Sequence, residues 1–250
     1  MASNEELRNN LMSFREAFRD YADCYTVIGG TACFILLDEA ELEFRATKDI
    51  DMILILEDRG DAFVVAFWNY IVEGGYTCGW KESEVHYYRF TNPKEGYPGR
   101  IELFSKKGDF NVDSRIKPVH ISDDISSLSA IVLDDDFYDF MMQGRRVIDG
   151  ISILDVEHLI PFKMYAWLNN RKLCAEGKQV NSDDIKKHKN DVFRLIELIN
   201  TDTRIDTKGN VRTCVDEFLS EIVIEPVSSS VLGTITKDEA IRIFKNVYLS

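Results

Sequence analysis

Arg45-Ala46-Thr47-Lys48-Asp49-Ile50-Asp51-Met52-Ile53-Leu54-Ile55 carries two carboxylates, Asp49 and Asp51, at the head of an apolar run. Residues 50–56 read as a central strand, because a near-continuous apolar stretch suits a strand buried on both faces. Side chains alternate along a strand, so Asp49 and Asp51 project together from the sheet edge. Two like charges that close in a dry site need a cation or protons to offset them. Hard divalent cations such as Mg²⁺, or Mn²⁺ in its place, are the usual partners of such oxygen ligands. Just upstream lies Val27-Ile28-Gly29-Gly30-Thr31-Ala32. It reads as a short strand over 25–28, a glycine turn and a helix over 31–37. A glycine turn that opens a helix is a place where backbone N–H groups hold a phosphate. Glycine pairs end many strands, so this one gains weight only beside the aspartates. Together the two stretches predict a metal-dependent site that handles nucleotides.

Working outward, Leu7, Leu11, Phe14, Phe18 and Tyr21 recur at helical spacing and predict an amphipathic helix over 5–22. Residues 61–73 predict another, closed by Gly74-Gly75. Strands are expected over 85–90 and 100–104, joined by a loop with Pro93, Gly96 and Pro98. The stretch 109–150 is harder to read; short strands are expected near 119–121 and 146–148 around an acidic helix beginning near Asp134. From Asp155 onward the pattern is helical. Asp155 is the expected N-cap of a helix to about residue 170, and Ser182 that of a helix to about residue 200. Two further helices are expected near 210–223 and 237–248. The predicted class is α/β (α+β), with an α/β domain over 1–150 and a helical domain over 151–250.

Glu102 lies between Ile101 and Leu103. If those two pack inward, Glu102 faces the other way, and a strand beside 49–56 presents it to the aspartates. Three carboxylates can hold two Mg²⁺ ions, one orienting a triphosphate and one helping to deprotonate an attacking hydroxyl. The same spacing also describes an ordinary exposed glutamate on a half-buried sheet. Lys163 projects into the apolar stripe of Val156, Leu159, Ile160, Ala166 and Trp167, at about 100° per residue. A lysine on a buried face needs an anion. That anion is either a structural carboxylate or a substrate phosphate, and beside the aspartate pair the phosphate is preferred. In the next helix His188 falls on the stripe of Ile185, Val192, Leu195, Ile196 and Ile199, with Lys189 and Asp191 on its shoulders. Such border positions suit active-site residues and plain boundary charges alike.

The 250-residue chain carries a net charge of −13, which argues against a general nucleic-acid-coating protein. A local basic patch around Arg171, Lys172, Lys178, Lys186, Lys187 and Lys189 reads equally as a solvated helix face. The five cysteines show no Cys-x-x-Cys pair and read as reduced, mostly buried thiols of a cytoplasmic protein. No apolar run approaches a membrane span, and the first residues lack the apolar core of a secretory signal. His86, His120 and His158 show no metal-ligand spacing, and Asp134-Asp135-Asp136 reads as a helix N-terminus.

These features resemble the nucleotidyltransferase fold of the DNA polymerase beta superfamily, and most closely its AbiEii/AbiGii-type toxin family. The shared signature is Gly-Gly-Ser/Thr on a strand-to-helix turn, then Arg-x-Thr-x-Asp-x-Asp on the next strand. Gly29, Gly30 and Thr31 stand at the first motif, and Arg45, Thr47, Asp49 and Asp51 at the second. Lys163 fits the lysine of the family's first C-terminal helix. Lys189-Asn190-Asp191 fits its later Lys-Asp pair with one departure, since Asn190 separates the two. The resemblance covers most of residues 20–200. It implies a mixed sheet flanked by helices, with a helical domain closing over the active site. It further implies transfer of a nucleoside monophosphate from an NTP to an acceptor such as tRNA or protein, releasing pyrophosphate. Members often act as the toxin of a toxin–antitoxin pair, so a cognate antitoxin is an implied partner.

On this reading Gly29, Gly30, Thr31, Lys163 and Lys189 bind the nucleotide. Asp49, Asp51 and Glu102 hold the metal, and Lys163 and Asp191 join the carboxylates as catalytic residues. Two alternatives keep the fold. One is a non-catalytic module that binds a nucleotide or a partner. The other is a transferase acting on a small cationic molecule.

Overall fold

The computed structural model describes residues 4–45, 47–56, 60–81, 84–106, 116–119 and 128–250; for 79–81, 84–88, 116–119 and 128–132 it describes the backbone alone. The chain divides into two compact units, Met1–Tyr138 with Arg145–Leu154, and Asp139–Gly144 with Asp155–Ser250.

The first unit is α+β, a mixed sheet flanked by helices. Its elements run α1 (Asn4–Phe18), a 3-10 turn (Arg19–Tyr21), β1 (Tyr25–Ile28), α2 (Gly29–Glu39), β2 (Asp49–Leu54), α3 (Gly60–Glu73), β3 (Thr77–Lys81), β4 (Glu84–Thr91), β5 (Arg100–Lys106), β6 (Ile116–Val119) and β7 (Leu128–Leu133). The helix α4 (Asp135–Gln143) follows, and β8 (Arg145–Ile148) and β9 (Ile151–Leu154) complete the sheet. The strand order is β3-β4-β5-β2-β1-β9-β8, with β7 pairing the far end of β5 and carrying β6. The pairs β2–β5, β1–β9 and β5–β7 are parallel, and β1–β2, β4–β5 and β8–β9 antiparallel.

Register sorts the side chains into two faces. Val27 stands opposite Met52, which stands opposite Leu103, so these three and Tyr25, Ile50, Ile101 and Phe90 share one face. All of them are buried. Helices α1 and α3 cover this face with Phe14, Phe18, Phe63 and Phe67; Phe14 and Phe18 pack edge-on against Tyr25, Phe63 stacks on it, and Phe67 packs edge-on against Phe90. Such aromatic contacts add to the area that is buried. The opposite face receives the alternate residues: Asp49 and Asp51 of β2, Arg100 and Glu102 of β5, and Arg89 of β4.

Sequence expectation and structure agree on most elements. The helix expected over 31–37 begins two residues earlier, at the glycines themselves. The helix expected over 5–22 ends as an α-helix at Phe18 and tightens into the 3-10 turn. The strand expected near 119–121 occupies 116–119, and its last two expected residues lie outside the described ones. The strands β3, β7 and β9 are not among the sequence expectations.

The second unit holds α5 (Val156–Ala175), α6 (Ser182–Arg194) with a 3-10 turn over Leu195–Leu198, α7 (Gly209–Glu221), α8 (Ser229–Leu232) and α9 (Lys237–Tyr248). Asp155 caps α5, accepting from the His158 backbone at 2.8 Å. The cap of α6 is Asn181, one residue before the expected Ser182, and it accepts from the Asp183 backbone at 3.0 Å. Pro161 lies inside α5 and cannot donate to the Glu157 carbonyl. That carbonyl instead accepts from the Tyr248 hydroxyl at 2.7 Å, which ties the end of α9 to α5. Trp167 against Phe218 and Phe193 against Phe244 form the centre of this unit's core. Among the described residues, no helix is long and apolar enough to cross a membrane.

Candidate functional site

The turn between β1 and α2 is shaped by its glycines. Gly29 has φ +72°, a conformation that L side chains rarely adopt. A Cβ there would lie 2.0 Å from Asp51 Oδ2, so the Asp51 carboxylate packs directly on the glycine backbone. A Cβ on Gly30 would meet Thr47 Oγ1 at 3.0 Å and an Arg45 guanidinium nitrogen at 3.3 Å. Arg45, Thr47 and Asp51 therefore wall the turn. The N-cap residue of α2 is Ile28, which has no side-chain acceptor to offer the first amides. These amides carry the positive end of the helix. Thr31 differs from its expected role in contacting a nucleotide. It is fully buried, and its hydroxyl donates to the Asp49 carbonyl at 2.5 Å, pinning the start of β2 to the turn.

Glu102 lies beside the aspartates. In the parallel β2–β5 register, Asp51 is opposite Glu102 and Asp49 is opposite Arg100. Residues so paired share a face, which puts three carboxylates in one row. Two arginines accompany them. Arg100 bonds Asp49 Oδ2 at 2.5 Å, and its Nε is 3.5 Å from Glu102 Oε1. Arg89 Nε reaches the same Glu102 oxygen at 2.7 Å from the neighbouring strand. Burial alone would lower the Arg100 pKa, but Asp49, then Glu102 and Asp51, hold it above its ordinary value. Neither arginine was among the residues singled out from the sequence. Alternation along β5 was the available signal for Arg100, which stands two residues before Glu102.

The donor set of the row suits a hard divalent cation in kind, with three carboxylates on one sheet face. In the present arrangement Arg100 hydrogen-bonds Asp49, and Arg89 and Arg100 lie at ion-pair distance from Glu102. Among the described residues, no group of three or more His, Cys, Asp or Glu side chains is disposed to hold a metal ion. Two clefts of about 470 and 450 Å³ open elsewhere in the first unit, around Asn9, Lys94 and Tyr97 and around Leu11, Phe34 and Ile151; none of the three carboxylates lines them.

The remaining candidates belong to the second unit. Lys163 and Asp191 are 2% and 1% exposed, and Lys163 Nζ donates to Asp191 Oδ2 at 2.9 Å. Of the two anions expected for Lys163, the one present is a carboxylate of the chain itself. Asp191 is thus buried and not at the border expected for it. The Lys189 ammonium donates to the Pro226 carbonyl at 2.7 Å and lies 3.6 Å from Glu225, so it secures the loop after α7. His188 stands close to the buried pair, and its Nδ1 has no hydrogen-bond partner. Burial first, and the Lys163 charge second, bring its pKa down to about 4.

The dismissed candidates behave as ordinary groups where they are described. His158 Nδ1 is 2.7 Å from Asp155 Oδ1, and Asp134 accepts from the Asp136 backbone at the start of α4. The side chains of His86 and His120 lie outside the described residues. All five cysteines are free thiols, with Cys24, Cys33 and Cys214 buried.

No protein-family model matches the chain, and no curated protein matches it. Two crystal structures from Helicobacter pylori are similar to it. One, described as that of a candidate nucleotidyltransferase, has 13% identity and a TM-score of 0.39, over 97% of this chain and 92% of the other. The second, JHP933, has 14% identity and a TM-score of 0.39, over 98% of this chain and 90% of the other. Likeness at that level carries no argument about chemistry.

Proposed function

We propose that the first unit is the catalytic part of a nucleotidyltransferase that moves a nucleoside monophosphate from an NTP to an acceptor hydroxyl. The observation that carries this reading is the Asp51 carboxylate packed on a positive-φ glycine at the start of α2, with Glu102 paired beside it. An amide-lined turn and a carboxylate row in contact suit a triphosphate and its divalent counter-ion.

In this scheme the backbone amides at the Gly29-Gly30 turn donate to the phosphate oxygens. Arg45 and Thr47, against Gly30, border the same turn. Thr31 acts indirectly, holding the Asp49 backbone against α2. Asp49 and Asp51 would hold Mg²⁺ or Mn²⁺, with Glu102 completing the set. The metal supplies charge neutralisation of the triphosphate and a lowered pKa for the attacking hydroxyl. The acceptor oxygen forms its bond to the α-phosphorus, the bond from that phosphorus to the bridging oxygen breaks, and pyrophosphate leaves. Glu102 takes the acceptor proton in this scheme. The Lys163–Asp191 pair receives no role in transfer, because each already neutralises the other in the core of the second unit.

A second reading is favoured by the arginines. Guanidinium groups on Asp49 and Glu102 can balance those carboxylates without metal. The turn would then bind a nucleotide without turnover. Radiolabelled NTPs incubated with the full chain, Mg²⁺ and bulk tRNA separate the two readings. Transfer predicts pyrophosphate release and label on tRNA, on a protein or on an added small cation. The Asp49→Ala, Asp51→Ala double variant is expected to abolish transfer with the fold intact. Full activity in that variant refutes the scheme, and nucleotide binding without pyrophosphate in the unaltered chain supports the second reading.

A further inference from the structure

We propose that the outer edge of β8 and the cleft beside it form the interface of a two-fold homodimer. The inference is independent of the carboxylate row, and all of its residues belong to the first unit.

The β8–β9 hairpin ends one side of the sheet, and among the described residues no strand pairs with the outer edge of β8. Asp149 and Gly150 have φ +49° and +78°, the positive pair that a type I′ hairpin turn requires. In a ladder closed by such a turn the adjoining pair, here Ile148 with Ile151, is hydrogen-bonded, and bonded pairs then alternate. Arg145 and Val147 therefore turn their N–H and C=O groups outward. An open edge is a template for another strand unless charged side chains guard it. Here both arginines are bonded back into the chain: Arg145 Nε donates to Thr26 Oγ1 at 2.9 Å, and Arg146 to Glu39 Oε2 at 2.8 Å. Val147 is 58% exposed. Of the two-fold pairings that match these outward groups, those centred on Arg145 or Arg146 set like charges opposite each other, which is unfavourable. The one centred on Val147 sets an apolar residue against its own copy, and Arg146 against Ile148.

The cleft beside the hairpin selects the occupant. It measures about 450 Å³, and its apolar lining is Leu11, Met12, Phe34, Ile35, Ile148 and Ile151. Met12 is 47% exposed, and its flexible thioether suits an irregular gap in a facing surface. Arg8, Arg15, Asp38, Glu39 and Asp149 line the same cleft, and Arg146 bonds Glu39, so three arginines stand among three acids. The whole chain carries −13, so two copies repel unless they meet through a locally neutral face. A basic partner finds no excess acid here, and an acidic partner no excess base. A face with both signs is complementary to its own two-fold copy, where acids can meet bases. Directly paired residues share a sheet face, so pairing at β8 puts both clefts on one side of a continuous sheet.

The test is sedimentation velocity of the full chain at concentrations up to about 100 µM, which reaches weak but specific association. The unaltered chain is expected to move as a particle of twice 28.8 kDa at the upper end and to dissociate on dilution. Val147→Lys, which sets like charges on the axis, should raise the dissociation constant at least about tenfold. Val147→Pro removes an outward N–H, which an edge strand tolerates, and should act in the same direction. Met12→Glu, in the cleft, should weaken the dimer as well. Circular dichroism reports folding of each variant, and Val147→Pro decides if Val147→Lys does not fold. A monomer at every concentration overturns the proposal. So does a dimer whose dissociation constant is unchanged in the folded Val147 variants or in Met12→Glu, because another face then joins the copies.

Discussion

Replacing Lys163 by Met leaves the Asp191 carboxylate, 1% exposed, without the ammonium that now lies 2.9 Å away. Breaking a buried ion pair from one side costs about 3–5 kcal/mol, because the remaining charge is desolvated and uncompensated. Asp191→Leu takes the carboxylate away from a lysine that is 2% exposed, and should cost a similar amount. Replacing both partners by apolar residues of similar volume removes both charges, and such exchanges are often neutral or stabilising by about 1–4 kcal/mol. The Lys163→Met, Asp191→Leu double variant should therefore be more stable than either single variant, by at least about 2 kcal/mol. The assay is native-state hydrogen exchange of peptides from α5 and α6, which carry the two residues. It reads the local opening free energy of this unit without assuming that the whole chain unfolds in one step. His188 supplies a second readout, since the Lys163 charge lowers its pKa. Its imidazole should titrate at higher pH in Lys163→Met. A double variant no more stable than the weaker single would refute the account of this pair as self-compensating. So would a Lys163→Met protein whose α5 and α6 exchange is unchanged.

Two further outcomes are expected. Gly29→Ala should abolish both Mn²⁺ binding and nucleotidyl transfer, because its Cβ would stand 2.0 Å from Asp51 Oδ2. It should also destabilise the first unit by roughly 1–3 kcal/mol through its positive φ, read as a lower melting temperature. Normal transfer by Gly29→Ala would remove the glycine turn from the site. Stability of the second unit should fall as pH drops from the ordinary histidine value of 6.5 towards about 4. His188 takes up its proton in the unfolded chain before it does so in the folded one, among Lys163, Asp191, Lys187 and Asp184. The loss is on the order of 3 kcal/mol, is absent above the unfolded value, and should vanish in His188→Gln. An unchanged pH profile in that variant would show that another group is responsible.

What was legible in the sequence was local. Strand alternation alone put Asp49 and Asp51 on one face, and the opposite orientation of Ile101 and Leu103 put Glu102 on the polar side of β5. The helix expected near 237–248 coincides with α9, whose Thr236–Glu239 capping box spans four residues. Such features depend on neighbours within one turn or one pleat, which is the range over which backbone geometry is periodic.

Tertiary structure decided what lies between elements. The parallel register of β2 with β5 puts Asp51 beside Glu102 and Arg100 beside Asp49, and the antiparallel β4 adds Arg89. No period within one strand specifies the offset between two, so the approach of Arg89 and Arg100 to the acids became visible only in the sheet. Lys163 announced its need for an anion, because a charge in an apolar stripe is costly. Its partner lies 28 residues along the chain, on another helix, and only the packing of α5 against α6 selects Asp191. Thr31 shows the same division. Its motif position was readable, but the hydroxyl's attachment to the Asp49 carbonyl depends on how α2 meets β2.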